Sequence, residues 1–278
     1  MSNPVTTECS APESAEWATL RTGHYSDAVR EAAIARAYLR PEMVVADVGN
    51  HGGFMAAGLA PLVRQVHVID SAPAMLEVAR RNLARFANVV FHCADREQLP
   101  LADGSVDAVF AYMYLHHCYD PQGAIQELVR ILRPGGRLMI TDLNAHSYVW
   151  LQREMAEVWM GFTRDQLRPW LRAAGLVNVL VRHTGQDCCA TATREDNDAA
   201  RRSACIGVLL ATGSKRIAMR QVVREYYTSA VLDGCGCAEV VSSSSGCCSQ
   251  GSGGISCCGT DISMLNAGGV QFIIDYSP

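Results

Sequence analysis

Short apolar runs at residues 43–48, 65–70, 88–93, 106–112 and 137–142 alternate with stretches of helical character, and this alternation constrains the chain more than any other feature. A strand, a helix and a second strand close as a right-handed crossover. Repeated units give a mostly parallel sheet with helices on both faces. The helical stretches are 17–38, Ala-rich and amphipathic; 54–62; 73–85, opened by Pro73 in the first turn; and 122–132, broken by Arg133-Pro134-Gly135-Gly136. Two further helices are expected at about 148–160 and 164–174, and two last strands at 176–184 and 205–212. The polar loop between those strands has no room for a packing helix, so they should form an antiparallel hairpin at the sheet edge. The expected fold is α/β: a doubly wound, seven-strand, mostly parallel sheet with one reversed strand.

The chain has 278 residues, 49% hydrophobic and 19% charged, which is ample for a full core and excludes wholesale disorder. Lys+Arg 24 against Asp+Glu 28 gives −4, so charge offers no reason to expect nucleic acid or an anionic membrane as partner. No apolar run approaches the ~18–20 residues that span a bilayer. The polar start, residues 1–16, lacks the features of a signal peptide, so a cytoplasmic location is expected. Four segments are read: a disordered N-terminus, 1–15; the α/β domain, 16–215; a helix, 216–232; and a tail, 233–278. The tail is Gly, Ser and Cys with few large apolar residues, and should be flexible unless a ligand orders it.

Chemistry-bearing residues fall at strand ends. Asp47-Val48-Gly49-Asn50-His51-Gly52-Gly53 follows the first strand and opens a helix. Glycines there let a backbone approach a ligand closely, and the helix start favours an anionic group. Asp70 ends the second strand, about twenty residues on, where a carboxylate can accept from two ribose hydroxyls. Cys93-Ala94-Asp95 ends the third and adds a carboxylate at the same edge, while Tyr112 ends the fourth. Beyond Tyr112 stand His116 and His117. Either suits a general base near neutral pH; alternatively one lines the cofactor pocket and the other caps a helix. Asp142-Leu143-Asn144-Ala145-His146 is similarly placed and similarly open.

Twelve cysteines in a chain without an export signal point to soft-metal or redox chemistry more than to a disulfide framework. Cys188 and Cys189 are adjacent within the polar loop. The tail carries Cys235-Gly-Cys237, Cys247-Cys248 and Cys257-Cys258. Adjacent thiols in a flexible loop suit a thiophilic ion, because neighbouring cysteines bridge only with strain. Structural zinc favours C-x-x-C steps, so these shorter steps fit a trivalent metalloid or copper(I) better.

The segments D-V-G-N-H-G-G (47–53), V-H-V-I-D-S-A-P-A-M-L (66–76), C-A-D (93–95), L-P-L-A-D-G-S-V-D-A-V-F-A (99–111) and L-R-P-G-G-R-L (132–138) resemble the class I S-adenosylmethionine-dependent methyltransferases. The resemblance implies a Rossmann-like fold and S-adenosylmethionine as cofactor. It sets Asp47, Gly49, His51 and Gly53 against the methionine part, Asp70 on the ribose with Met75 lining that pocket, and Asp95 with Arg96 at the adenine. Tyr112 is counted with the same site. His51 replaces the middle glycine of the family's D-x-G-x-G-x-G. A narrower likeness joins V-R-E-Y-Y-T-S-A-V (223–231) and S-S-S-S-G-C-C-S (242–249) to the start of the arsenite methyltransferases. It implies arsenic(III) as a thiolate-bound substrate of Cys188, Cys189 and the tail cysteines. It also implies a downstream arsenite methyltransferase domain or protein as partner. The alternatives are a small organic acceptor with an unrelated tail, and a metalloid-binding accessory protein.

Overall fold

The computed structural model describes residues 26–49, 51–95, 98–155, 157–191 and 203–217. Six helices are described: α1 (Asp27–Ala37), α2 (Phe54–Leu59), α3 (Pro73–Asn82), α4 (Pro121–Ile131), α5 (Val149–Met155) and α6 (Arg164–Ala173). The strands are β1 (Val44–Val48), β2 (Gln65–Asp70), β3 (Val89–Cys93), β4 (Val106–Tyr112), β5 (Leu132–Leu143), β6 (Leu176–Thr191) and β7 (Ser203–Lys215). They form one sheet in the order β3-β2-β1-β4-β5-β7-β6. The first five strands run parallel, and β7 is antiparallel to both of its neighbours. This is the expected seven-strand, doubly wound arrangement with one reversed strand. The N-terminal residues 1–15 and the tail 233–278 lie outside the described residues, as does the expected helix 216–232 beyond Ile217. Among the described residues no helix is long and apolar enough to cross a membrane.

The central strands are buried on both faces, which is why β1 and β4 read as unbroken apolar runs. Alternate residues serve two cores. Val44, Ala46 and Val48 pack with α4 and α6, while Val45 packs with α1, α2 and α3. Helix starts are fixed locally. The Ser26 side chain caps α1, Asp120 accepts from the Gln122 and Gly123 amides ahead of α4, and Thr163 with Gln166 forms a capping box on α6.

Two strands exceed their expected limits. β5 begins at Leu132, because the chain turns extended directly after α4 and Leu132 pairs with Val106 before a register shift. Gly135 and Gly136 sit inside that irregularity, Gly135 at φ +78°, and a Cβ on Gly136 would meet the Asp107 carbonyl oxygen at 2.9 Å. β6 runs on to Thr191. A bulge between His183 and Asp187 absorbs Gly185-Gln186, and pairing with β7 resumes from Asp187. The expected loop holding Cys188 and Cys189 is therefore strand.

On β2 and β3, His67 Nδ1 and His92 Nε2 stand 2.9 Å apart and half-buried. Burial holds both rings below the ordinary histidine value, and the charge of His92 adds to the effect at His67. The unfolded chain therefore takes up protons first as the pH falls through about 6.5, so stability present above that pH is lost below it. Thermal unfolding between pH 7.5 and 5 should show Tm falling with pH in the parent protein, with a shallower fall in His92→Asn. Equal slopes would remove this pair as the source.

Candidate functional site

Strand order reverses direction between β1 and β4, so the crevice at their carboxyl ends is where an open α/β sheet takes a ligand. Asp47, Gly49, Asp70, Asp95 and Tyr112 all arrive at this edge. Asp47 is fully buried. Its Oδ2 accepts from the Ala56 amide of α2 at 3.0 Å, and its Oδ1 has no hydrogen-bond partner among the described residues. Burial pushes its carboxyl well above the usual range. The Ala56 bond opposes that shift and the nearby charge of Asp70 adds to it.

The turn after β1 takes positive φ at Gly49, Gly52 and Gly53, at +72°, +69° and +86°. A Cβ on Gly49 would stand 2.8 Å from Cδ2 of the buried Tyr114 ring, and one on Gly53 would stand 2.8 Å from Cδ1 of Leu83. The Gly49 amide donates to the Ile69 carbonyl at 2.9 Å, and Asn82 holds the Gly52 carbonyl at 2.8 Å. The turn is thus locked between β2 and α3. His51 contributes backbone to the short 3-10 turn His51–Gly53, but its side chain and Arg96 lie outside the described residues. Asp70 Oδ1 accepts from the Ala72 amide at 2.9 Å, ordering the bend into α3, where Met75 is buried in the first turn. Asp95 is exposed beyond β3.

Tyr112 lies deeper than a pocket wall. It is 1% exposed, its ring is 5.5 Å from that of Phe54, and its hydroxyl accepts from the Ser26 amide at 3.3 Å. Met113 follows at φ +47°, with its amide donating to the Thr141 carbonyl at 2.7 Å. A left-handed non-glycine residue is costly and persists only where its surroundings hold it.

Farther along the edge, His116 Nδ1 stands 2.7 Å from Asp142 Oδ1, and both side chains are buried. The His117 ring lies 4.0 Å from that of His116. The segment after β5 covers this corner. The Val158 and Trp159 amides donate to the His116 carbonyl at 2.9 and 3.0 Å, and Trp159 stacks on Phe162 at 5.9 Å. The same segment brings in His146, whose Nε2 is 3.4 Å from Glu157 Oε2. Asp142 and His146 are visible in the sequence as residues following a strand. Glu157 carries no such signal, because it reaches the site only through the excursion between β5 and α6.

The loop-thiol expectation is corrected. Cys188 and Cys189 are neighbours on β6, and successive strand residues point to opposite faces. Cys189 is disulfide-bonded to Cys205 across the β6–β7 pair. Cys188 packs inward, and its thiol is pushed up to about 12 by burial first, then by the charges of Glu157 and Asp142. It stays protonated near neutral pH, whereas the thiolate is the metal-binding form. Among the described residues no group of three or more His, Cys, Asp or Glu is placed to hold a metal ion. Cys235, Cys237, Cys247, Cys248, Cys257 and Cys258 lie outside the described residues.

Fold and crevice are those of an open, doubly wound α/β sheet, a class that takes its ligands beyond the carboxyl ends of the strands where the strand order reverses. Residues 46–140 match the methyltransferase domain family. The chain is 31% identical over 170 residues to 2-methyl-6-phytyl-1,4-hydroquinone methyltransferase 2 of Oryza sativa subsp. japonica, covering 60% of this chain and 48% of that protein. It is also 31% identical over 164 residues to demethylmenaquinone methyltransferase of Clavibacter sepedonicus, covering 49% and 66%. The chain thus spans less than two thirds of either relative's length. Among solved structures, the putative methyltransferase in complex with the Haloferax volcanii Trm112 activator shares the fold. Its TM-score is 0.61 at 20% identity, covering 75% of this chain and all of that one.

Gly49→Ala should destabilise the domain by about 1–2 kcal/mol, the scale of a left-handed non-glycine residue, with the Tyr114 contact adding to it. Urea unfolding would measure this, and an unchanged midpoint would show that the turn can relax.

Proposed function

We propose that this protein transfers the methyl group of S-adenosylmethionine to a small organic acceptor. The observation that carries the reading is the buried Asp47 carboxyl with an unpartnered Oδ1, set beside a glycine turn and one strand from Asp70. A carboxyl kept dry beside another carboxylate suits a ligand that brings hydrogen-bond donors and positive charge. S-adenosylmethionine has both, and when bound it supplies an electrophilic methyl group on a sulfonium. Asp70 would accept from its ribose hydroxyls, Gly49 would admit the close approach of its backbone, and Asp95 would meet the base. The buried edge of β4 and β5 excludes water and positions the acceptor, which is a large part of what in-line displacement needs. The plant and the bacterial relative are named for a hydroquinone and for demethylmenaquinone, which favours an organic acceptor.

Arsenic(III) as the acceptor is the second reading. It now rests on the six tail cysteines and their pairing, with a downstream arsenite methyltransferase domain or protein as partner. Cys189 is held in a disulfide and Cys188 stays protonated near neutral pH, so these two neighbours lend no thiolate pair.

Equilibrium dialysis should show that the protein binds S-adenosylmethionine, and that Asp70→Ala weakens binding about ten- to a hundredfold through lost charge-assisted hydrogen bonds. Incubation with substituted hydroquinones, and separately with arsenite and glutathione, reads out the acceptor. Methylated hydroquinone supports the first reading and methylated arsenic the second. Bound cofactor without either product would count against methyl transfer to these acceptors.

A further inference from the structure

Two imidazoles and two carboxyl groups converge at the ends of β4 and β5 from elements far apart in sequence. Asp142, with no exposed surface, receives three donors. The Leu115 amide reaches Oδ2 at 2.8 Å, and the Leu143 amide at 2.8 Å and His116 Nδ1 at 2.7 Å reach Oδ1. This acceptor fixes the hydrogen of His116 on Nδ1 and leaves the lone pair on Nε2. His146 is set the opposite way. Its Nδ1 accepts from the Tyr148 amide at 3.3 Å, so its hydrogen sits on Nε2, facing Glu157. The paired carboxyl orients one ring as a base, as in a base–orienter dyad.

We infer that His116, oriented by Asp142, takes the proton from an acidic hydroxyl of the methyl acceptor, so that phenols and hydroquinones are the substrate class of this site. This rests on the methyl-transfer reading above. The acceptor's O–H bond breaks and its proton passes to His116 Nε2. The oxygen–methyl bond forms as the sulfur–methyl bond breaks, and that electron pair stays on sulfur, which leaves as a neutral thioether. The positive charge moves from the sulfonium to an imidazolium beside Asp142, and the proton is then lost to water.

The groups around His116 suit one transferable proton. Asp142 faces it from β5, His117 from its own turn, and His146 and Glu157 from the covering segment. Cys188, on β6, is close enough to feel the charges of both Glu157 and Asp142. Burial holds His146 below its ordinary value, and the charge of His116 lowers it further. Cys188 keeps its proton and does not compete.

The test uses the full chain without cofactor and 4-nitrocatechol as probe, whose phenolate absorbs in the visible. Binding should lower the pH midpoint of probe ionisation by about one unit, a tenfold change in acidity. His116→Gln should abolish the shift, and Asp142→Asn, which replaces a positioning residue, should reduce it. An unshifted bound probe, a shift that survives His116→Gln, or no binding would overturn the inference. If circular dichroism shows that His116→Gln has lost its fold, the parent titration decides alone. Dialysis of S-adenosylmethionine against the same protein tests the methyl-transfer reading separately, so the two failures are distinguishable.

Discussion

The pairing of β1 with β2 on one side and β4 on the other is the constraint on which the rest of the domain depends. From that register the chain leaves β1 toward one helix layer and returns to β4 from the other, and a crevice opens where the two directions part. Asp47 sits in the strand that makes both pairings, and its bond to the Ala56 amide ties β1 to the start of α2. The same register sets Asp70 one strand away. A fully buried carboxyl at Asp47 thereby feels the charge of the partly exposed Asp70, an arrangement that suits a ligand supplying donors and charge.

The reversed strand β7 has a different role. Inserted between β5 and β6, it buries the far side of β5 and so closes the environment of Asp142. Asp142 in turn orients His116, receives two backbone amides and links β5 to the short turn after β4. The glycine turn and the His116–Asp142 corner are therefore built by different parts of the sheet: β1 and β2 for one, β4, β5 and the segment before α6 for the other.

The fold and the glycine turn after β1 were legible because they follow local rules. Apolar runs of fixed length, a first-turn proline and a glycine turn after a strand are signals carried by neighbouring residues. The placement of Asp47, Gly49, Asp70 and Asp95 at one edge of the sheet could be read this way. Tyr112 was located but lies deeper, since only the packing of α1 and Phe54 shows its ring covered. Cys188 and Cys189 were misread because Gly185-Gln186 looks like the end of a strand. A bulge instead carries β6 past them, where strand alternation parts the two thiols. Glu157 was invisible, because its meeting with His146 depends on how a covering segment folds back and not on any spacing.

A crystal structure of the full chain with S-adenosylhomocysteine would test the central claim most directly. The account predicts density at the carboxyl ends of β1 and β4, with the ribose hydroxyls on the Asp70 carboxylate and the amino-acid end beside Gly49. Density placed elsewhere on the sheet, or a crevice that stays empty at saturating ligand, would contradict it.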